Sequence, residues 1–127
     1  MNREEILQCL KKYNFDKEEY LVISGAAMAL LGIKESTNDI DISVTQNYYN
    51  YLLKKYNCIF ERTNEYGVDC YLIDEIINFS TTYYENNKIL IDDIPVQEPQ
   101  KILKLKRSLN REKDNKDINL IKEFINE

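Results

Sequence analysis

Asp39 and Asp41 alternate with Ile40 and Ile42, a pattern that places both carboxylates on one face of a strand and both isoleucines on the other. Two carboxylates side by side against an apolar core repel each other and lose hydration. A divalent cation relieves both costs, and hard oxygen donors of this kind suit Mg²⁺ or Mn²⁺. Upstream, the apolar run 21–23 reads as a buried strand, broken by Ser24-Gly25 and followed at once by a small-residue helix over 26–31. A turn into a helix presents free N–H groups, a ready place for phosphate. A phosphate cradle facing a metal-binding carboxylate pair is the outline of a phosphoryl- or nucleotidyl-transfer site.

Composition narrows the alternatives. The chain of 127 residues has no histidine, which excludes His-based acid–base work, Ser-His or Cys-His nucleophiles and Cys/His zinc sites. Cys9, Cys58 and Cys70 lack metal-ligand spacing and fit buried thiols in a reducing cytoplasm. No run approaches the roughly 18 apolar residues of a membrane span, and the first residues lack a signal-peptide pattern, so a cytoplasmic protein with no membrane partner is expected. A net charge of −5 gives no bulk attraction to nucleic acid, so any such contact must use a local patch.

Several elements must position the aspartates. Residues 3–13 read as an amphipathic helix with Ile6, Cys9, Leu10 and Tyr13 on one face; Asn2 is its N-cap and Glu5 completes a capping box. Gly32 closes the second helix as its C′ residue. Thr45 caps a third over 46–56, whose Tyr48, Tyr49 and Tyr51 read as half-buried, with base stacking as the rarer use. Short strands follow at 58–61, 68–73, 76–79, 88–91 and 94–96. Asp92-Asp93 forms a tight reversal and Pro95 marks an edge strand. Pro99 opens a helix with Ile102, Leu103, Leu105 and Leu109 inward and Lys101, Lys104, Lys106 and Arg107 outward. A last helix over about 114–126 buries Ile118, Ile121, Phe124 and Ile125. No repeat or interdomain linker appears. The expected organisation is one domain over 1–127, with a core over about 20–97 and a helical pair over about 98–126.

Together these residues resemble the nucleotidyltransferase superfamily, the polymerase-β-like fold, whose signature is apolar strand, Gly-Gly or Gly-Ser, helix, then Asp-x-Asp. Gly25 matches the first glycine and Thr37-x-Asp39-x-Asp41 the threonine and paired aspartates; Ala26 stands where the family usually has Ser or Gly, and Lys34 where it often has Arg. Val68-Asp69-Cys70 matches the strand that supplies a third metal-facing carboxylate, in preference to Asp74. The late segment Lys106-x₄-Arg111-x-Lys113-Asp114-x₂-Asp117 is similar to one found in small bacterial nucleotidyltransferases, including toxins of type IV toxin–antitoxin pairs. The resemblance covers roughly 21–124.

The resemblance implies an α+β fold, a small mixed β-sheet with helices packed against it. It implies transfer of a nucleoside monophosphate from an NTP to a hydroxyl, with pyrophosphate released. Asp39, Asp41 and Asp69 would be catalytic and hold Mg²⁺ or Mn²⁺, with Asp69 as base. Ser24, Gly25, Ala26 and Thr37 would form the nucleotide site, Lys106 would reach the phosphates and Asp114 would steady it. The acceptor would be tRNA or another macromolecule. Two rivals share the fold: a non-catalytic binding or regulatory module with a cognate protein partner, such as a phage-borne inhibitor, and a transferase acting on a small-molecule antibiotic.

Overall fold

The computed structural model describes residues 1–126. Helix α1 (Arg3–Tyr13) starts at Asn2, whose side chain accepts from the Glu5 amide while the Glu5 carboxylate accepts from the Asn2 amide; Asn14 ends it in the left-handed region. Strand β1 (Tyr20–Ile23) is buried throughout and runs directly into α2 (Ser24–Leu30). Leu31 caps α2, and Gly32 follows at φ 81°, the conformation expected of a C′ glycine. Strand β2 (Ile40–Val44) leads to α3 (Gln46–Lys55), whose Thr45 cap accepts from the Tyr48 amide.

Strands β3 (Ile59–Thr63), β4 (Asp69–Ile73), β5 (Ile77–Ser80), β6 (Ile89–Ile91) and β7 (Ile94–Val96) complete a seven-stranded sheet of order β3-β4-β5-β2-β1-β7-β6. Neighbours run antiparallel except β2–β5 and β1–β7, which are parallel. The β6–β7 reversal at Asp92-Asp93 has both residues at positive φ, a two-residue hairpin turn, and Asp74-Glu75 form a similar turn between β4 and β5. Helix α4 (Pro99–Leu109), a short 3₁₀ turn (Glu112–Asp114) and α5 (Asn115–Phe124) close the chain.

The core gathers one face of β2 and β5 (Ile40, Ile42, Val44, Ile77, Phe79) with Ile6, Leu7 and Leu10 of α1 and Leu52 of α3. Full burial of each such side chain is worth about 1.5–3 kcal/mol, so this face fixes the sheet's register. The α3 tyrosines serve this side of the molecule: Tyr49 lies edge-on to Tyr71 and Phe79, and Tyr48 contacts Phe15 and stacks on Tyr51.

Three local expectations are corrected. Pro95 does not lie on an edge, because β6 flanks β7. Gln97 N–H bonds Val22 O, so Pro95, two residues earlier, turns its missing N–H toward β1, where the register is limited to Val22–Val96. Lys106 is not outside but 5% exposed. In α5 only Ile121 is fully buried and Phe124 is exposed, because α5 packs on α4 and presents a single narrow stripe to the core.

Candidate active site

Alternation along β2 sends Asp41 and Ser43 to the sheet face opposite the Ile40/Ile42 core. Register then decides what stands beside Asp41: Ile23, the last residue of β1, on one side and Asn78 of β5 on the other. Asn78 lies opposite Leu72 of β4, and β4 pairs with β3, where a bulge lifts Glu61 out of the ladder between Phe60 and Arg62. Glu61 thereby reaches back over β4 and accepts a short hydrogen bond from the Asn78 side-chain amide. Above this face lies a cavity of about 250 Å³. Its acidic lining is Asp39, Asp41, Glu61 and Glu65, and its basic lining is Arg62, Lys106 and Arg111, with Ser24, Asn78 and Tyr83 between them.

Burial, then the charges of Asp39 and Glu61, push the Asp41 carboxyl up to about 7, against a smaller opposing pull from Arg62 and Lys106. Negative charge therefore converges on hard oxygen donors faster than the protein's own cations offset it. No group of three or more His, Cys, Asp or Glu residues among the described ones is arranged to hold a metal. Two carboxylates are nevertheless the usual protein share for Mg²⁺, which keeps its waters and takes remaining ligands from substrate phosphates. The donor set fits a cation arriving with a phosphorylated ligand better than a resident ion.

The basic wall is a chain of alternating charges. Arg111 Nε donates to Asp114 Oδ2 at 2.7 Å, and Lys106 Nζ lies 3.1 Å from Asp114 Oδ1 and 3.5 Å from Asp117 Oδ2. Lys34 Nζ lies 3.3 Å from Asp117 Oδ1. Three cations and two anions leave one net positive charge beside the cavity. Burial raises the Asp114 pKa, but hydrogen bonds from Arg111 and Lys106 outweigh it and hold the carboxyl below its ordinary value. Asp114 thus holds both cations in place. Lys34 and Asp117 extend the chain in a way that their sequence spacing does not disclose.

Strand β1 passes into α2 at Ser24-Gly25. The residue in the left-handed region is Ser24, at φ 58°, so the position that suits glycine is Ser24 and not Gly25. Gly25 is required for another reason: a Cβ there would sit 2.8 Å from Thr37 Oγ1. Thr37 closes over the start of α2 and is tied by its amide to Met1 O, and it does not line the cavity. Ala26 is 1% exposed, belongs to the core and is not among the residues lining the cavity. Of the expected nucleotide residues, Ser24 and Lys106 line the cavity, with Asp114 directly behind Lys106.

Asp69 is the clear correction. It opens β4 one residue out of phase with Cys70, which lines the cavity, and so belongs to the other face; its carboxylate accepts from Thr63 Oγ1 at 2.7 Å, while its carbonyl accepts from Tyr49 OH. It does not join Asp39 and Asp41. The carboxylate beside them is Glu61, whose signal in sequence, a charged pair within a short strand, gives no hint of the bulge that aims it.

No family model and no curated protein sequence matches this chain. Among solved structures it is similar to a Thermotoga maritima protein whose crystal structure describes it as a "putative nucleotidyltransferase", at 22% identity, TM-score 0.57, over 94% of this chain and 96% of that one. The likeness shows a shared fold: a mixed α+β domain of nucleotidyltransferase type, as the strand–turn–helix and Asp-x-Asp pattern implied. No helix among the described residues is long and apolar enough to cross a membrane.

Proposed function

We propose that the protein is a metal-dependent nucleotidyltransferase. The observation that supports this best is one cavity lined at once by Asp39, Asp41 and Glu61, by Lys106 and Arg111, and by Ser24 of the strand–helix turn. Asp39 and Asp41 would hold Mg²⁺ or Mn²⁺, which when bound supplies Lewis-acid stabilisation of phosphoryl oxygens. Lys106 and Arg111, preorganised by Asp114, offset the charge of the NTP's outer phosphates. The Ser24 turn borders the same phosphates. An acceptor hydroxyl attacks the α-phosphorus; the new O–P bond forms as the bond to the bridging oxygen breaks, and pyrophosphate leaves. Glu61, oriented by Asn78, takes the role first expected of Asp69 and accepts the hydroxyl proton.

The acceptor in this reading is a polyanion such as tRNA. Between Lys101 and Lys116 there are seven basic and two acidic side chains, against ten basic and twenty acidic elsewhere. A groove lined by Arg107, Asn110 and Asn115 shares Lys106 and Arg111 with the cavity, so the basic segment leads into the site. Such a local patch attracts phosphate backbone despite the net charge. Two rivals share this cavity: a non-catalytic module, motivated by Ala26, small size and the acidic surface, and a transferase for a cationic small molecule held by an acidic lining such as Glu61 and Glu65. The basic segment that leads into the site favours the polyanion over both.

Calorimetry of ATP and the other NTPs, with Mg²⁺ or Mn²⁺ against EDTA, tests the donor site. Metal-dependent binding is expected in the native protein and not in Asp39→Asn/Asp41→Asn; equal behaviour of the two proteins would sink the reading. Transfer of label from α-³²P NTP to RNA then tests the acceptor.

A further inference from the structure

We propose that Gln97 is a positioning residue, whose buried amide holds the Ser24 turn in the conformation that brings Ser24 to the cavity. The inference rests on the nucleotide-site reading above and concerns a residue outside every motif discussed so far. Gln97 follows β7, is 4% exposed, and is tied once to β1 and once to the first residue of α2. Its backbone N–H donates to Val22 O at 2.9 Å, and its side-chain Oε1 accepts from the Ser24 amide at 3.3 Å. The two bonds bracket Ile23, the residue opposite Asp41.

The bracket matters because Ser24 has φ 58°. Serine carries a Cβ that disfavours the left-handed region, and glycine is the residue that enters it freely. A conformation the local sequence resists is kept only where its surroundings over-determine it. Gln97 supplies that constraint from two directions, one through the sheet and one through the turn amide. It also precedes α4 by two residues, so the side chain that sets the turn is joined covalently to the helix that carries Lys106. Turn and basic wall are thereby placed relative to each other by one buried residue.

The test compares Gln97→Met, which keeps the side chain's length and removes the amide acceptor, in two backgrounds: native Ser24 and Ser24→Gly. Gln97→Ala serves as a second variant with the acceptor removed. Affinity for ATP with Mg²⁺ and hydrogen exchange of the residue 24 amide are both read. In the Ser24 background, at least a tenfold loss of affinity and a comparable rise in exchange are expected. In the glycine background the same change should cost no more than about threefold in affinity, because glycine takes positive φ unaided. A merely structural role predicts equal losses in both backgrounds, and that result, or native affinity in Gln97→Met, overturns the proposal. If the native protein binds no ATP the functional reading fails, whereas the exchange measurement still decides the role of Gln97: unchanged exchange at residue 24 overturns it.

Discussion

Asp41→Asn is expected to stabilise the protein at alkaline pH while removing the function proposed for it. The Asp41 carboxyl is pushed from 3.8 to about 7, chiefly by burial and then by Asp39 and Glu61. Below pH 4 it is protonated folded and unfolded, and there is no cost. Between pH 4 and 7 the unfolded chain ionises it while the folded protein retains the proton, so stability falls as pH rises; above 7 the full cost is present. At about 1.4 kcal/mol per pH unit that cost has a ceiling of about 4 kcal/mol. Asp41 retains some contact with water, and screening reduces the figure to about 2 kcal/mol. Asparagine has nearly the same shape and no charge, so it should recover this energy at pH 8 and little of it at pH 4.5. With an unfolding entropy of about 2.1 cal/mol/K per residue, 2 kcal/mol corresponds to a rise of about 7 °C in Tm for a chain of this length. Thermal melts of both proteins in EDTA at the two pH values measure it. A gain of equal size at both, or no gain at pH 8, would refute the account of charge convergence at Asp41.

The other predictions concern the walls of the site. Lys106→Met leaves Asp114 and Asp117 facing each other with only Arg111 and Lys34 as counter-charges, and should cost about 3 kcal/mol in urea unfolding, with Lys106→Arg losing much less. Gly25→Ala drives a methyl to within 2.8 Å of Thr37 Oγ1 and should cost about 1–3 kcal/mol; adding Thr37→Ala should restore most of it in the same chemical melts. Asp69→Asn should bind metal–ATP like the native protein in calorimetry. Glu61→Gln should bind ATP within a few-fold of native yet lose about 10²-fold or more in transfer rate, because it removes a base without removing Asp39 or Asp41.

The elements whose signals are local were legible one by one. Asn2 with Glu5, Thr45, Pro99 and the paired Asp92-Asp93 turn lie where short-range hydrogen bonding and backbone preference put them. The alternation that sends Asp41 to the face opposite Ile40 and Ile42 was equally legible, since period two needs nothing beyond the strand itself, although Asp39 lies in the bend just before β2. Misreadings arose where a neighbour in space decided the outcome. Lys106 falls at a polar position in a helical pattern, and only the approach of Asp114 and Asp117 makes its burial affordable. Asp69 matches an apolar-Asp-apolar pattern, yet phase along β4 points it away from Asp41. The positive φ of Ser24 has no local signal in the sequence, and the partner of its amide, Gln97, lies over seventy positions away.

By itself, then, the sequence determined the class of fold, the strand–turn–helix that leads to a carboxylate pair, and the chemistry such a pair favours. The last two follow from periodicity, capping and charge, which act over a few residues, whereas the class of fold followed from the resemblance that those residues carry to a known family. That Glu61, and not Asp69, lines the same cavity as the pair was decided only by the tertiary structure. A β-bulge displaces Glu61, sheet order carries it over β4 to Asn78, and Asn78 lies beside Asp41 in a parallel register that no local interaction encodes.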